Sequence, residues 1–250
     1  MRHRIVLSSG LLNCGAIAPR KARPNRSIPI HKIIMVQSIN VSGIVNAFRV
    51  LWNPSLAVPH IIVNDIRSID FRQLKNKGGI QAIAFDKDNC LTAPYVPHIH
   101  PPFEKAWAEC RQTWDKNKIV IVSNSAGTND DKDYKEADKL EASLDVSVLR
   151  HAEKKPSGGE ALAKHLGPIP ASEVAMVGDR IFTDVVFGNL NGHLTIWTRQ
   201  VITEDGDNKP ALFLRRMEHR LIAFLHARNV QPPRHPLTSK LGNDPNPFIH

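Results

Sequence analysis

Two aspartates two residues apart, Asp86 and Asp88, follow directly on an apolar run, Ile80-Gln-Ala-Ile-Ala-Phe85. Carboxylates so placed can divide the labour of phosphoryl transfer. One attacks phosphorus, while the other protonates the leaving oxygen and later activates water. A second run, Ile119-Val-Ile-Val122, is followed by Ser123-Asn124-Ser125, whose hydroxyl and backbone amide suit phosphoryl oxygens. Lys155-Pro156 lies downstream and offers an ammonium for the same phosphate. A third run, Val174-Ala-Met-Val177, leads into Gly178-Asp179-Arg180-Ile-Phe-Thr-Asp184. Its carboxylates suit a hard cation such as Mg²⁺.

Each piece alone has an ordinary explanation. An Asp-x-Asp pair also makes turns, an aspartate after glycine also caps helices, and a single lysine is usually a solvated surface group. What sets this chain apart is the order, since the pairs Asp86/Asp88, Ser123/Asn124 and Asp179/Asp184 each follow an apolar run.

The elements that must position these residues are legible in the same stretch. Ile119–Val122 is apolar at every position, as a parallel strand buried on both faces should be. Phe103 to Asn117 reads as a helix, with Phe103, Trp107, Cys110 and Trp114 on one face. Ser147–Leu149 reads as a short strand, Gly159–His165 as a helix, and Val174–Val177 and Leu194–Trp197 as further strands. A helix opening near Pro210 is expected to bury a stripe of Leu214, Met217, Leu221 and Phe224. Alternation of this kind predicts an α/β fold: a parallel sheet with helices on both faces. In such sheets ligands bind beyond the carboxyl ends of the strands, where the reactive residues fall.

Composition bounds the rest. At 250 residues, 42% hydrophobic and 23% charged, the chain is ordinary for a globular protein. No stretch reaches the roughly 18 apolar residues that a membrane-spanning helix needs. Cys14, Cys90 and Cys110 have no paired spacing, which argues against a disulfide framework or zinc site and for a reducing compartment. The net charge of +9 is not spread over the chain. Residues 1–64 hold eight Lys or Arg and no acid, while the remainder is nearly neutral. No nucleic-acid partner is therefore expected, since such a partner calls for basic residues on a folded face.

Residues 1–34 have the basic, serine-containing, acid-free composition of a mitochondrial transit segment. A basic tail, or an upstream extension of a chain whose mature form starts near Met35, fits the same composition. In residues 41–52 apolar side chains recur at 41, 44, 45, 48, 51 and 52, giving an amphipathic helix closed by Asn53-Pro54. With Arg49 and Trp52 at its end, this helix suits peripheral association with a membrane interface. Its apolar face could equally pack on the domain or on a second copy in a homo-oligomer. The expected organisation is a basic segment (1–34), a helix and linker (35–60), an α/β domain (61–230) and an irregular proline-rich tail (231–250).

The series Asp86-x-Asp88, Ser123, Lys155 and Gly178-Asp179…Asp184 resembles the haloacid dehalogenase superfamily over roughly residues 80–200. The resemblance implies a Rossmannoid fold in which Asp86 is nucleophile and metal ligand. It makes Asp88 the general acid/base and a metal ligand through its backbone carbonyl. Ser123 would bind phosphate, Lys155 would neutralise it, and Asp179 and Asp184 would hold Mg²⁺. Lys154 is the alternative to Lys155. Lys87, Asn124 and Arg180, beside these positions, are candidate substrate contacts. Cys90 departs from the family, which more often has threonine or valine there.

Only 34 residues separate Asp88 from Ser123, and 31 separate Ser123 from Lys155. Neither interval holds a substantial cap domain, so the site is expected to be open to a large substrate. Phe48-Arg-Val-Leu-Trp-Asn-Pro-Ser-Leu56, Phe85-Asp-Lys-Asp-Asn-Cys-Leu-Thr92 and Gly178-Asp-Arg-Ile-Phe-Thr-Asp184 look like the mitochondrial phosphatidylglycerophosphate phosphatases of fungal type. That narrower resemblance implies a phospholipid substrate, a product on the route to cardiolipin, and a place at the matrix face of the inner membrane. Phosphoprotein or polynucleotide ends are the competing substrates for an open site. A membrane-associated assembly module with relic motifs is the competing non-enzyme reading.

Overall fold

The apolar runs become strands. These are β1 (Ile61–Val63), β2 (Ala82–Phe85), β3 (Ile119–Ile121), β4 (Ser147–Val148), β5 (Val174–Gly178) and β6 (Leu194–Thr198). They form one sheet in the order β1-β6-β5-β2-β3-β4, with every pairing parallel. This computed structural model describes residues 49–203, 209–241 and 247–250. The basic segment 1–34 and most of the proposed 41–52 helix lie outside the described residues; only 49–52 of that helix are seen, and they are helical.

Besides residues 49–52, seven α-helices are described: α1 (Phe71–Asn76), α2 (Glu104–Thr113), α3 (Lys135–Leu144), α4 (Gly159–Leu166), α5 (Val186–Leu190), α6 (Lys209–Ala227) and α7 (Pro236–Leu241). They cover both faces of the sheet, because a strand with alternating side-chain directions has two faces to bury. From β2, Ile83 and Phe85 enter a core with Phe71, Trp107, Trp114 and Leu140. Ala82 and Ala84 enter the opposite core with Leu162, Leu166 and Phe187. The alanines leave room on that side for the Phe187 ring. On the first side, Trp107 meets the Phe85 ring edge-on at 5.7 Å, and Trp114 donates its indole N–H to the Ile80 carbonyl at 3.0 Å.

The central register is what positions the site. Phe85 lies opposite both Val177 of β5 and Ile121 of β3. The three strands therefore end level, and Asp86, Asp179 and Ser123 emerge side by side. Among the described residues, the interval after Asp88 holds loops and α2, and that after Ser123 holds loops, α3 and β4. The expected lack of a cap domain is what the structure has.

Two expectations need correction. The Pro210 helix exists as α6, but Leu214, Met217 and Phe224 are exposed rather than buried. The inward face is Arg215, Glu218, Ile222 and Leu225. Ile222 and Leu225 pack with Ile181, Val185 and Trp197, while Arg215 and Glu218 find charged partners at the ends of β5 and of the turn after it. Those ion pairs outweigh the apolar stripe in setting the helix's rotation. The tail after residue 230 is also less irregular than expected. It contains α7, buries Leu237 and Phe248, and pairs Ile249 with Ile69 across an antiparallel bridge.

Candidate active site

Asp86 leaves the end of β2 with its amide donated to the Val177 carbonyl at 2.8 Å, which ties the residue to β5. Its carboxylate Oδ1 accepts from Lys155 Nζ at 2.6 Å. The same ammonium donates to Asp184 Oδ1 at 2.6 Å. Lys155 is almost completely buried, so one fixed cation bridges the ends of two elements. Lys154, which sequence left as the alternative, turns outward to a surface pair with Asp130.

Asp179 follows Gly178 at the end of β5, and its backbone carbonyl accepts the Trp197 indole N–H at 2.9 Å. Its Oδ2 accepts from Arg215 Nη1 on α6. Asp184 is placed by a π-helical turn, Ile181–Val185, that runs into α5. Its Oδ2 accepts the Arg180 amide at 3.0 Å, and its Oδ1 accepts the Thr183 hydroxyl at 3.1 Å. Gly178 makes this approach possible: a Cβ there would lie 2.3 Å from Asp184 Oδ2 and 2.4 Å from its Cβ. The glycine before Asp179 is thus a packing requirement of Asp184.

Carboxylate oxygens from Asp86, Asp179 and Asp184 lie within 4.8 Å of one another. An all-oxygen, all-carboxylate set of that span fits a hard divalent cation such as Mg²⁺. Asp88 sits at the mouth, half-exposed, with its carboxylate paired to Lys87 and accepting the Tyr95 amide at 3.1 Å. It is outside the carboxylate cluster but one residue from Lys87 and two from Asp86.

The third strand end is organised by backbone bonds. Ser123 Oγ accepts from the amides of Ser125 at 3.2 Å and Ala126 at 3.4 Å. His151 Nε2 lies 3.0 Å from the Ser123 carbonyl. Asp131 gathers the Gly127, Glu136 and Ala137 amides at 2.9 Å each, fixing the loop onto the start of α3. Asn124 exchanges two hydrogen bonds with the Lys155 backbone, donating at 3.3 Å and accepting at 2.6 Å. Its amide therefore ties the Ser123 loop to the lysine. Arg180 is held through Nε by Glu218 Oε2 at 2.9 Å, and Glu218 Oε1 also accepts the Phe182 amide at 3.1 Å. Arg215 and Glu218 were missed in the sequence because they fall inside a helix whose apolar stripe seemed to define its buried side.

Electrostatically the cluster is short of positive charge. Burial raises Asp86 to about 6, with Lys155 opposing and Asp184 and Asp88 adding to the rise. Burial likewise raises Asp179 to about 7 against the pull of Arg215. Burial disfavours the Lys155 charge, but Asp184 and Asp86 outweigh it and raise its pKa. Since folded Asp86 and Asp179 hold protons that the unfolded chain releases near pH 4, metal-free stability falls as pH rises from about 4 to about 7. A divalent cation offsets this by binding the ionised carboxylates. The Mg²⁺-induced rise in Tm is expected to grow between pH 5 and pH 7.5; a shift independent of pH would contradict the assignment of these carboxylates as its ligands.

An open parallel sheet carrying a carboxylate cluster, a buried lysine and a serine loop at three adjacent strand ends has the parts of a phosphohydrolase. A family model described as mitochondrial PGP phosphatase matches residues 41–203. The chain is 39% identical to phosphatidylglycerophosphate phosphatase 1, chloroplastic, of Chlamydomonas reinhardtii, over 90% of this chain and 84% of that protein. It is 40% identical to the chloroplastic/mitochondrial phosphatidylglycerophosphate phosphatase 1 of Arabidopsis thaliana, over 84% of this chain and 60% of the relative's length. It is 36% identical to the mitochondrial phosphatidylglycerophosphatase of Saccharomyces cerevisiae, over 75% of this chain and 99% of that protein. No solved structure matches the chain. The chain belongs to the mitochondrial PGP phosphatase family and is a phosphoric monoester hydrolase.

Proposed function

We propose that this enzyme removes the terminal phosphate of phosphatidylglycerophosphate to give phosphatidylglycerol, through an aspartyl-phosphate on Asp86. The observation that carries the reading is the buried Lys155 ammonium held 2.6 Å from both Asp86 and Asp184, at the carboxyl edge of a cap-free sheet. Asp86 attacks phosphorus, and the phosphoryl group passes to its carboxylate. Asp88 gives its proton to the departing glycerol oxygen, then takes one from the water that cleaves the acyl phosphate. Lys155 and the Ser123 loop hold the phosphoryl oxygens while charge shifts among them. Lys87 keeps Asp88 turned to the mouth and, with Arg180, borders the headgroup. Asp86, Asp179, Asp184 and the Asp88 carbonyl would hold Mg²⁺, which supplies charge neutralisation at the phosphoryl oxygens.

A lipid substrate suits the open site. On α6, Phe213, Met217 and Phe224 are exposed, an apolar set that suits contact with a lipid surface. Among the described residues, no helix is long and apolar enough to cross a membrane. The acid-free basic N-terminal quarter supports mitochondrial import, and residues 41–52 support peripheral attachment at the matrix face of the inner membrane, where phosphatidylglycerol feeds cardiolipin synthesis.

The test is phosphate release from a panel of phospholipid monophosphates, phosphopeptides and 5′-phosphorylated oligonucleotides, with and without Mg²⁺. Phosphatidylglycerophosphate is expected to be the preferred substrate, with a phosphoryl adduct trapped on the Asp86 peptide after acid quench. Preference for a phosphopeptide or oligonucleotide would overturn the substrate assignment.

A further inference from the structure

Beside the carboxylate cluster lies a cavity of about 520 Å³, lined by Arg199, Arg215, Arg216, Arg220 and His219 among others, and none of its lining residues is acidic. Its location follows from the sheet. Arg199 is the first residue beyond β6, the strand next to β5, so it stands at the same carboxyl edge as Asp179. The other three arginines come from one stretch of α6, at the spacing that puts 216 and 220 on one side of a helix. Arg199 is steadied by Asn64, whose Oδ1 accepts its Nε–H at 2.8 Å. Arg215 lines the cavity and also contacts Asp179, so the cavity begins one side chain away from the catalytic carboxylates.

A lining that carries four guanidinium groups and no carboxylate suits an anionic ligand, even with Arg215 already paired to Asp179. Arginine's planar fork matches two phosphate oxygens at once, which makes it the preferred side chain for fixed phosphate recognition. His219, in the same lining, has its pKa lowered first by burial and then by the nearby charges of Arg215 and Arg199. Nothing in the phosphoryl-transfer steps uses Arg199, Arg216 or Arg220. In the proposed reaction the scissile phosphate is already served by Lys155, the Ser123 loop and the cation that the carboxylates would hold.

We propose that this arginine-lined groove is the subsite for a second phosphate, the phosphodiester that a three-carbon glycerol bridge separates from the scissile phosphate. The proposal rests on the substrate reading above and adds the means by which the enzyme tells a lipid with two phosphates from one with a single phosphate. The diester is a permanent anion, and in the intact substrate it occupies the groove while the terminal phosphate is seated at Asp86. Binding energy from the non-reacting phosphate thereby orients the reacting one.

Two sources could supply the anion: the substrate's own diester, or headgroups of the surrounding bilayer. The full-length chain and an Arg216→Gln/Arg220→Gln variant, with Arg215 kept, separate them. Each is assayed on short-chain phosphatidylglycerophosphate below its micellar concentration, on phosphatidylglycerophosphate in vesicles rich in phosphatidylglycerol, and on p-nitrophenyl phosphate, which has no second phosphate. The ratio of kcat/KM between the two substrates is expected to fall about 10- to 100-fold in the variant. An unchanged ratio on the monomeric lipid overturns the proposal. So does a loss seen only with vesicles rich in phosphatidylglycerol, since it assigns the arginines to bilayer charge.

If the variant does not fold, the wild-type protein still decides. Glycerophosphoglycerol carries the diester without a scissile phosphate and is expected to compete with the monomeric lipid but not with p-nitrophenyl phosphate. No competition with either overturns the proposal. Failure of the wild-type enzyme to cleave phosphatidylglycerophosphate at all, with p-nitrophenyl phosphate still hydrolysed, is a separate result that strikes the substrate reading.

Discussion

Asp86→Asn is expected to lower phosphate release by roughly four to six orders of magnitude, the range seen when a covalent nucleophile or its partner is removed. The substitution keeps shape and hydrogen-bonding reach, so the amide oxygen still accepts from Lys155 Nζ, which stays fixed by Asp184. What it loses is the ability to form an acyl phosphate. The charge count predicts a second, opposite effect. Asp86, Asp179, Asp184 and Glu218 face Lys155, Arg180 and Arg215, leaving one negative charge in excess. Neutralising Asp86 removes that excess, so the metal-free variant is expected to melt at or above the wild-type temperature at pH 8. Phosphate release and thermal denaturation on the same preparations test both halves. Full activity would sink Asp86 as nucleophile, and a collapse in Tm would show that its charge is structural.

Lys155→Met should destabilise the metal-free protein by about 3–5 kcal/mol at pH 7.5, the cost of stripping one partner from a buried ion pair. Methionine fills a similar volume but leaves the Asp86 and Asp184 carboxylates facing each other without the ammonium between them. The sign of the pH dependence follows. Without the lysine, ionising these carboxylates costs more, so the deficit should shrink as pH falls toward 5 and the carboxylates take up protons. Lys154→Met provides the contrast, since its partner Asp130 is half-exposed and such pairs contribute about 0–1 kcal/mol. Urea titrations at pH 5 and 7.5 measure both. Equal, small effects from the two lysines would remove Lys155 from the centre of the site.

The carboxyl-edge geometry was legible in the sequence because burial on both faces forces an uninterrupted apolar run. β2, β3, β5 and β6 each announce themselves that way, and a polar residue just after such a run has only one place to go. The same logic failed at β1, at the sheet's edge, where the apolar run is only the three residues Ile61–Val63, bounded by Pro59-His60 and Asn64. It failed at α3 for a different reason. Ala137, Leu140 and Leu144 are the buried residues of a helix made, apart from Ala142, of charged and polar side chains, a thin stripe over one face of the core. At α6 the periodicity was real but marked the outward face. Hydrophobic pattern carries no information about which buried charges a helix must neutralise, and Arg215 and Glu218 are fixed by Asp179 and Arg180, residues more than thirty positions away. The proline-rich tail hid its contribution because Phe248 and Leu237, too few to show a period, dock into a core built by earlier segments.

The bridge between Ile69 and Ile249, and the pairing of β1 with β6, join parts of the chain that are far apart in order of synthesis. Contacts of such separation form late, after the chain between them has been enclosed. The three carboxylates come from residues 86, 179 and 184, and the helix that holds Asp179 ends only at Ala227. A chain synthesised only through β2 and Asp86 has neither the other two carboxylates nor the guanidinium that pairs with Asp179. The centre therefore exists only in the closed sheet: its parts are spread from residue 86 to α6, and no single segment of the chain carries it.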